Sequence, residues 1–275
     1  MRRMRKKIIN YSVAFLIGAV IISPIIWTLL SSLKPEPEIL KYPPKILPER
    51  FVLTQYVNLL ADTHFLSFFW NSLIVGVITT PLTLLIAAPG AYSLTRFKYR
   101  GRSLYSVFLL FSYMVPLLLI GIPMFIIMAY LRILNTRLSL VLSYVAFCLP
   151  FSVWMLRSFF LGIPVSLEES AMVDGARRLQ ALVLIVLPLA RPGLIACGIF
   201  TFVLVWNEYT LALLFISSEN LKTLPIGVAS FIGQVAAQWG YILPAIILMI
   251  APMLVFFAFV QRSLVRGFLT GATKG

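Results

Sequence analysis

Three acidic residues lie close together in a chain that has few of them. The 275 residues include only nine Asp and Glu, and Glu168, Glu169 and Asp174 fall within seven positions of one another. Ser166 precedes Glu169 by three residues, which is the spacing of a capping box, where each side chain accepts a hydrogen bond from the other residue's amide. Gly175 follows about two helical turns later, and glycine favours the left-handed conformation that ends helices. The spacing predicts a short helix that begins at Ser166 and ends before Gly175.

These residue types suit docking rather than catalysis. Leu167, Ala171 and Asp174 lie on or near one face at helical spacing, and the small Ala171 side chain leaves room for close approach by another protein. We interpret the segment as a rigid helix that carries carboxylates, is followed by Arg177 and Arg178, and docks onto a partner. The alternative is that it is only a well-capped connector between two longer elements.

Motifs for catalysis are absent from the sequence. The chain has one histidine, His64, with no second metal ligand at useful spacing, and no Gly-x-Ser-x-Gly nucleophile turn. It also lacks the Gly-x-x-x-x-Gly-Lys-Ser/Thr loop that holds the phosphates of ATP. We therefore expect no enzyme activity, no metal site and no cofactor bound by this chain.

The elements that position the acidic segment are predicted to be membrane spans. Apolar residues make up 60% of the chain and charged residues 12%, and the mean hydropathy is +0.97, whereas soluble proteins have about a quarter charged residues. Six stretches supply the roughly 20 apolar residues that cross a bilayer as helix. They lie at about residues 8–33, 68–95, 103–131, 138–160, 193–216 and 241–261. The sequence predicts an all-α membrane protein with six transmembrane helices in a single domain over residues 1–275.

Basic residues determine the predicted orientation of these spans. The chain has 23 Lys and Arg against nine acids, but a nucleic-acid interface would need a basic face on a soluble fold. Five of the 23 basic residues lie at the N-terminus, within residues 2–7. If this end lies in the cytoplasm, 16 of the 23 basic residues fall on that side, in line with the positive-inside rule. Both termini are then cytoplasmic. Residues 34–67 form an outer loop, residues 161–192 a cytoplasmic loop between spans four and five, and residues 262–275 a cytoplasmic tail.

One acid lies within a predicted span. Glu208 falls inside the fifth span, where a carboxylate costs about 2.5 to 3.5 kcal/mol unless it is paired or hydrated. The neighbouring Trp206 and Asn207 offer an aromatic surface and an amide, groups suited to the apolar face and the hydroxyls of a sugar. We expect these three residues to line a solute path. The alternative is that Glu208 pairs with a neighbouring helix during assembly.

The acidic segment resembles the EAA loop of ATP-binding-cassette importer permeases. The matching positions are Glu169, Ala171, Asp174, Gly175 and Ala176, followed by Ile185, Leu187 and Pro188. Ser170 stands in place of an alanine, and Leu182 in place of an aromatic residue. The resemblance implies that the segment is a coupling helix, which fits a groove in an ATPase subunit and transmits its closure to the spans. The residues assigned to ATPase coupling are Ser166, Glu168, Glu169, Ala171, Asp174 and Gly175.

Other segments resemble the carbohydrate, maltose-type branch of that family. They are residues 32–35, 51–58, 71–72, 206–208 and 261–275. The likeness implies a subunit of the bacterial or archaeal cell (inner) membrane that imports a sugar or sugar-like solute by alternating access. The implied partners are a second permease in a heterodimer, two ATPase subunits holding ATP and magnesium, an extracytoplasmic solute-binding protein and membrane lipid, but no nucleic acid. It further implies that residues after Arg266 reach into the ATPase dimer interface.

Other functions remain as alternatives, including a permease for a non-sugar solute. A self-sufficient secondary carrier would show inverted repeats and several paired ions within the membrane. An intramembrane enzyme would need paired catalytic residues at bilayer depth. The sequence shows neither pattern, since Glu208 is the one acid at that depth, and this favours the importer permease.

Overall fold

The computed structural model describes residues 2–233 and 237–272 of the chain. Within these residues the fold is helical and contains no β-strand, although Ile232 and Ala237 form one isolated bridge. The predicted all-α fold class is confirmed. The α-helices are α1 (Arg2–Ser32), α2 (Glu36–Ile39), α3 (Thr54–Asp62), α4 (Phe65–Arg96), α5 (Arg102–Met114), α6 (Leu117–Tyr130), α7 (Arg137–Leu161), α8 (Val165–Val173), α9 (Arg178–Ala181), α10 (Leu187–Leu189), α11 (Arg191–Trp206), α12 (Thr210–Phe215), α13 (Leu224–Ala229) and α14 (Trp239–Ala272). A π-helical segment (Leu182–Val186) joins α9 to α10, and a 3₁₀ turn (Glu219–Leu221) precedes α13.

Three helices are long and apolar enough to cross a membrane on their own. They are the Ile9–Ser32 part of α1, α4 and α7, and their limits lie within three residues of the predicted first, second and fourth spans. Two further stretches are bent pairs: α5 with α6, and the Arg178–Leu189 stretch with α11. By length and composition the described residues hold three spans, or up to five if each bent pair is one span. The count of six spans therefore remains a prediction.

The third predicted span, residues 103–131, is not one straight helix. α5 ends at Met114, Val115 has extended backbone angles (φ −68°, ψ 128°), and α6 begins after Pro116. Proline has no amide hydrogen to donate, and it disfavours helical angles at the residue before it. The chain consequently turns by 96° between α5 and α6.

The fifth predicted span, residues 193–216, is also interrupted. α11 ends at Trp206, and α12 begins at Thr210 after a break of three residues. By contrast, α14 runs without a break from Trp239 to Ala272 and covers the predicted sixth span and most of the predicted tail. Residues 273–275 of that tail lie outside the described residues.

The chain divides into two compact units, one of which carries the candidate functional site. This unit comprises Ser67–Gly227 and Met253–Gly275, and its buried apolar residues form two clusters. One cluster joins α4 and α7 to the π-helical segment through residues such as Ala91, Leu156, Phe160, Leu182 and Val186. The other joins α7 to α12 through residues such as Leu140, Tyr144, Leu211 and Phe215. Both clusters include residues of α7, so α7 packs against α4 and the π-helical segment through one cluster and against α12 through the other.

The other unit comprises Met1–Leu66 and Val228–Pro252 and contains the predicted outer loop. Gln55 of α3 is buried, and its amide donates to the Lys34 carbonyl (3.1 Å). Lys34 is also buried, and its ammonium donates to the Lys45 carbonyl. Lys45 donates to the exposed Glu49 side chain, and this hydrogen bond lowers the pKa of Glu49. These bonds fix a loop that has little regular secondary structure.

Candidate functional site

The acidic segment forms α8, and its start differs from the sequence prediction. The helix begins at Val165 after Pro164, whose backbone angles are φ −57° and ψ 131°, and no side chain caps it. The predicted capping box between Ser166 and Glu169 is therefore absent. A capping residue needs non-helical backbone angles, whereas Ser166 already lies inside the helix. Its carbonyl instead accepts a hydrogen bond from the Ser170 hydroxyl (2.9 Å).

The end of α8 matches the sequence prediction. Gly175 has a positive φ of 91°, so its left-handed conformation is confirmed. The Gly175 amide donates to the Met172 carbonyl (3.1 Å), and the Ala176 amide donates to the Ala171 carbonyl (2.9 Å). This pair of bonds is a Schellman motif, which satisfies the last carbonyls of a helix. Gly175 thus fixes the direction in which the chain leaves α8.

Glu168 is the acid that anchors α8 to the helix bundle. Its side chain is 2% exposed, and its two carboxylate oxygens have different partners. Arg96, the last residue of α4, donates from Nε to Oε1 (2.6 Å). The Tyr92 hydroxyl, one turn earlier on α4, donates to Oε2 (2.8 Å). The carboxylate therefore binds α8 directly to the end of α4.

Arg96 extends this anchor to α7. Its Nη2 donates to the carbonyls of Phe160 (3.1 Å) and Ile163 (3.0 Å), where α7 ends and the loop begins. The Arg96 side chain is 5% exposed, so the ion pair is almost fully shielded from solvent. A buried ion pair is costly to break, at about 3 to 5 kcal/mol when one partner is removed. We call Tyr92, Arg96 and Glu168 the α8 anchor.

Sequence reasoning assigned Glu168 to this site but missed Arg96 and Tyr92. Arg96 and Glu168 are separated by 72 positions, and Arg96 counted only as one of the basic residues that orient the spans. A usable signal was the position of Arg96 at the last turn of an apolar helix. A cation suits a helix C-terminus because of the helix dipole, but that signal does not identify its carboxylate partner.

The outward face of α8 presents acids beside apolar side chains. Glu169 and Asp174 are exposed, as are Ser166 and Gly175, which the sequence assigned to ATPase coupling, while Ala171 is half-buried. Val173 is 87% exposed and Leu167 45%. Exposed apolar residues bordered by charges are typical of protein-binding surfaces. We call the surface formed by Leu167, Glu169, Val173 and Asp174 the α8 face.

A second contact holds the chain that follows α8. The Arg178 guanidinium lies over the Phe97 ring, 5.0 Å from its centre, a distance at which cations are attracted to aromatic rings. Phe97 follows directly after Arg96, so α9 is held at the same end of α4 as α8. From there the π-helical segment continues into the buried cluster, where Leu182 and Val186 pack with Leu156 and Phe160 of α7.

The predicted solute-contacting residues do not share one surface. Trp206 is fully buried, with the rings of Phe69 and Phe202 at 5.7 and 5.6 Å. Asn207 is exposed, and its side-chain amide donates to the Val203 carbonyl (2.8 Å). Glu208 is 8% exposed. The structure therefore places one of the three side chains at the surface of the chain and two in its interior.

Glu208 caps α12 and contacts α7. Its carboxylate accepts hydrogen bonds from the amides of Leu211 (2.9 Å) and Ala212 (3.2 Å) at the start of α12. It also accepts from the Tyr144 hydroxyl of α7 (2.7 Å). This geometry favours the alternative in which Glu208 pairs with a neighbouring helix. It also accounts for the interruption of the fifth predicted span, because the first amides of α12 are satisfied by a side chain.

Comparison with known proteins gives one family match and several close relatives. Residues 80–268 match the family described as binding-protein-dependent transport system inner membrane component. The sulfoquinovosyl glycerol transport system permease protein SmoH of Agrobacterium fabrum is 37% identical over 252 residues, covering 92% of this chain and 88% of that protein. The trehalose/maltose transport system permease protein MalG of Thermococcus litoralis is 33% identical over 273 residues, covering 98% of each.

A solved structure shares the fold. A chain of a bacterial ABC transporter involved in the import of the acidic polysaccharide alginate superposes with a TM-score of 0.80 at 23% sequence identity. The superposition covers 94% of this chain and 96% of that one. At this identity the likeness establishes the fold alone. The matched family region extends over α8, its anchor and the α11–α12 break.

Proposed function

Since the chain belongs to the family of binding-protein-dependent transport system inner membrane components, we propose that its cargo is a sugar or a sugar-like solute. The chain is the permease subunit of a binding-protein-dependent importer, a transport component rather than an enzyme. The named solutes of its relatives, sulfoquinovosyl glycerol and trehalose or maltose, support the sugar assignment. The chain is a protein of the inner membrane.

In this proposal α8 is the coupling helix, and the α8 face docks onto an ATPase subunit. Two ATPase subunits bind ATP and magnesium, a second permease forms a heterodimer with this chain, and an external binding protein delivers the solute. The α8 face supports this role because its acids and exposed apolar residues have no covering element within the described part of the chain. A partner that covers them would remove apolar surface from water and pair the two carboxylates.

The observation that carries the mechanism is the buried ion pair between Arg96 and Glu168. A force applied by the ATPase to α8 reaches α4 through this pair, and it reaches α7 through the two carbonyls that Arg96 binds. Ligand-driven changes of state are transmitted by packed, hydrogen-bonded elements that move as units. Closure of the ATPase subunits would therefore move α4 and α7 together and alternate the access of the solute path.

The solute path in this proposal borders the break between α11 and α12. Asn207 contacts solute through its exposed side chain, while the buried side chains of Trp206 and Glu208 hold the α11–α12 break in position. The hydrogen bonds of Glu208 to α12 and to Tyr144 support this division of roles. The proposed topology keeps six spans, formed by α1, α4, α5 with α6, α7, α11 with α12, and α14, with both termini in the cytoplasm.

The test compares two exposed acids in the assembled importer. Glu169→Ala alters the α8 face, and Glu219→Ala removes an exposed acid from the 3₁₀ turn as the matched control. Both variants should fold and insert, because neither side chain is buried. We expect Glu169→Ala to lower ATPase copurification and binding-protein-stimulated hydrolysis, and Glu219→Ala to leave both unchanged. Equal, wild-type values for the two variants would refute docking through the α8 face.

A further inference from the structure

A basic cavity lies between α5 and α7, outside the coupling site. It has a volume of about 290 Å³, and its lining includes Arg102 and Ser103 at the start of α5, Ser106 one turn later, and Trp154 and Arg157 on α7. Among the described residues that line it there is no carboxylate. The cavity therefore concentrates two positive charges without a counter-charge from this part of the chain.

The two arginines have donors available for an anion. Arg157 Nε is buried, and it has no hydrogen-bond partner in the described structure. Arg102 uses Nη1 for the Phe97 carbonyl (3.2 Å), and neither arginine forms an ion pair within the described residues. A buried polar atom without a partner calls for an explanation such as a bound ion or ligand. Guanidinium groups bind phosphate well because their planar donors match its oxygens.

The surroundings of the cavity are those of a membrane interface. Leu104, Phe108 and Phe111 form an apolar stripe along α5 and are 75%, 63% and 63% exposed, which suits contact with acyl chains. Trp154 is 36% exposed at the cavity, and tryptophan is enriched at the level of lipid headgroups. Arg157 lies one turn before Phe160, whose carbonyl Arg96 binds. The cavity is thus at the same end of α7 as the α8 anchor.

We propose that this cavity binds the phosphate of an anionic phospholipid in the cytoplasmic leaflet, with its acyl chains along the exposed stripe of α5. The assignment to that leaflet rests on the proposed function, because α8 identifies the cytoplasmic side. Basic pockets between transmembrane helices on that side are known to suit anionic headgroups. Arg102 and Arg157 hold the phosphodiester, and the Ser103 hydroxyl supplies a further donor at the cavity, whereas the Ser106 hydroxyl already donates to the Arg102 carbonyl (3.1 Å).

The experiment measures lipid binding to the complete importer complex in detergent by native mass spectrometry. The probes are phosphatidylglycerol and phosphatidylcholine with identical acyl chains. We expect Arg102→Gln and Arg157→Gln each to weaken phosphatidylglycerol binding about fivefold, the effect of removing one basic residue near an anionic surface. Phosphatidylcholine binding should not change. Arg100→Gln is the matched control, because Arg100 is exposed on the same connection and does not line the cavity.

The possible results distinguish a phospholipid site from a free-phosphate site. They also distinguish failure of the lipid proposal from failure of the proposed function. Inorganic phosphate that displaces phosphatidylglycerol, with the same dependence on Arg102 and Arg157, would overturn the lipid assignment in favour of a free-phosphate site. Equal phosphatidylglycerol binding by wild type and both variants would overturn the cavity as a site. ATPase copurification, measured on the same samples, should be normal in all three variants. Weaker phosphatidylglycerol binding by Arg102→Gln and Arg157→Gln, together with unchanged ATPase copurification in Glu169→Ala, would refute docking through the α8 face and leave the lipid site standing.

Discussion

Breaking the α8 anchor from its acidic side should destabilise the permease more than any change on the α8 face. Glu168→Ala leaves the Arg96 guanidinium buried, with 5% of its side chain exposed, and without its counter-charge. Removing one partner of such a pair costs about 3 to 5 kcal/mol. Glu169→Ala alters the neighbouring exposed acid and should change stability by no more than about 0.5 kcal/mol. Two adjacent glutamates therefore provide a matched pair.

Tyr92→Phe gives the intermediate case. It removes one hydrogen bond to a charged acceptor (2.8 Å) and keeps the ring, at a cost of about 1.5 to 3 kcal/mol. The expected order of destabilisation is Glu168→Ala, then Tyr92→Phe, then Glu169→Ala. Thermal unfolding of the purified complex, followed by tryptophan fluorescence, gives this order directly. A Glu168→Ala complex that unfolds at the wild-type temperature would refute the reasoning.

A double variant separates stability from coupling. Replacing Arg96 and Glu168 together by methionine removes both buried charges, which is often neutral for stability, but the carbonyls of Phe160 and Ile163 lose their donor. We expect the double variant to recover part of the stability lost in Glu168→Ala while hydrolysing ATP without matching uptake. Full recovery of uptake would mean that the pair stabilises the fold but does not transmit force to α4 and α7.

Three further results are expected. Gly175→Val should reduce ATPase copurification, while Gly175→Asn should be tolerated. Open space surrounds Gly175, so the cost of valine comes from the left-handed backbone conformation and is about 1 to 2 kcal/mol. Equal ATPase copurification by the two variants would contradict this explanation. Glu208→Ala should lower the unfolding temperature, since two amides of α12 and the Tyr144 hydroxyl lose their acceptor. Asn207→Ala should lower solute uptake and leave the unfolding temperature unchanged. Reduced uptake at an unchanged unfolding temperature in Glu208→Ala would restore Glu208 to the solute path. A single cysteine at Thr54 should react with an impermeant thiol reagent in intact cells and one at Gln180 should not, and the opposite labelling would invert the topology.

The sequence predicted the elements whose signals are local. Apolar length predicted the limits of α4, of α7 and of the Ile9–Ser32 part of α1 to within three residues. Gly175 marked the end of α8 because few other residues accept a positive φ. The start of α8 was wrong because two local signals compete there. Ser166 and Glu169 have the spacing of a capping box, but Pro164 begins the helix first.

Features that depend on distant residues were not predictable from one sequence. Arg96 and Glu168 each resemble an ordinary loop charge, and only the packing of α4 against α7 brings them together. Glu208 is buried within the chain, but its partners depend on the break before α12, which no proline or glycine marks. A span predicted from hydropathy alone runs through that break, because the residues on both sides of it are apolar.

The α8 anchor sets a rule for building chimeric importers. Its two charged members lie in different segments, one at the end of α4 and one in α8, so a loop exchanged between permeases brings only half of the contact. A graft of residues 161–192 into a recipient that lacks an arginine at the position of Arg96 would bury an orphan carboxylate. Exchange of the ATPase specificity of such a permease should therefore transfer the last turn of α4 together with the loop, as a single two-part module.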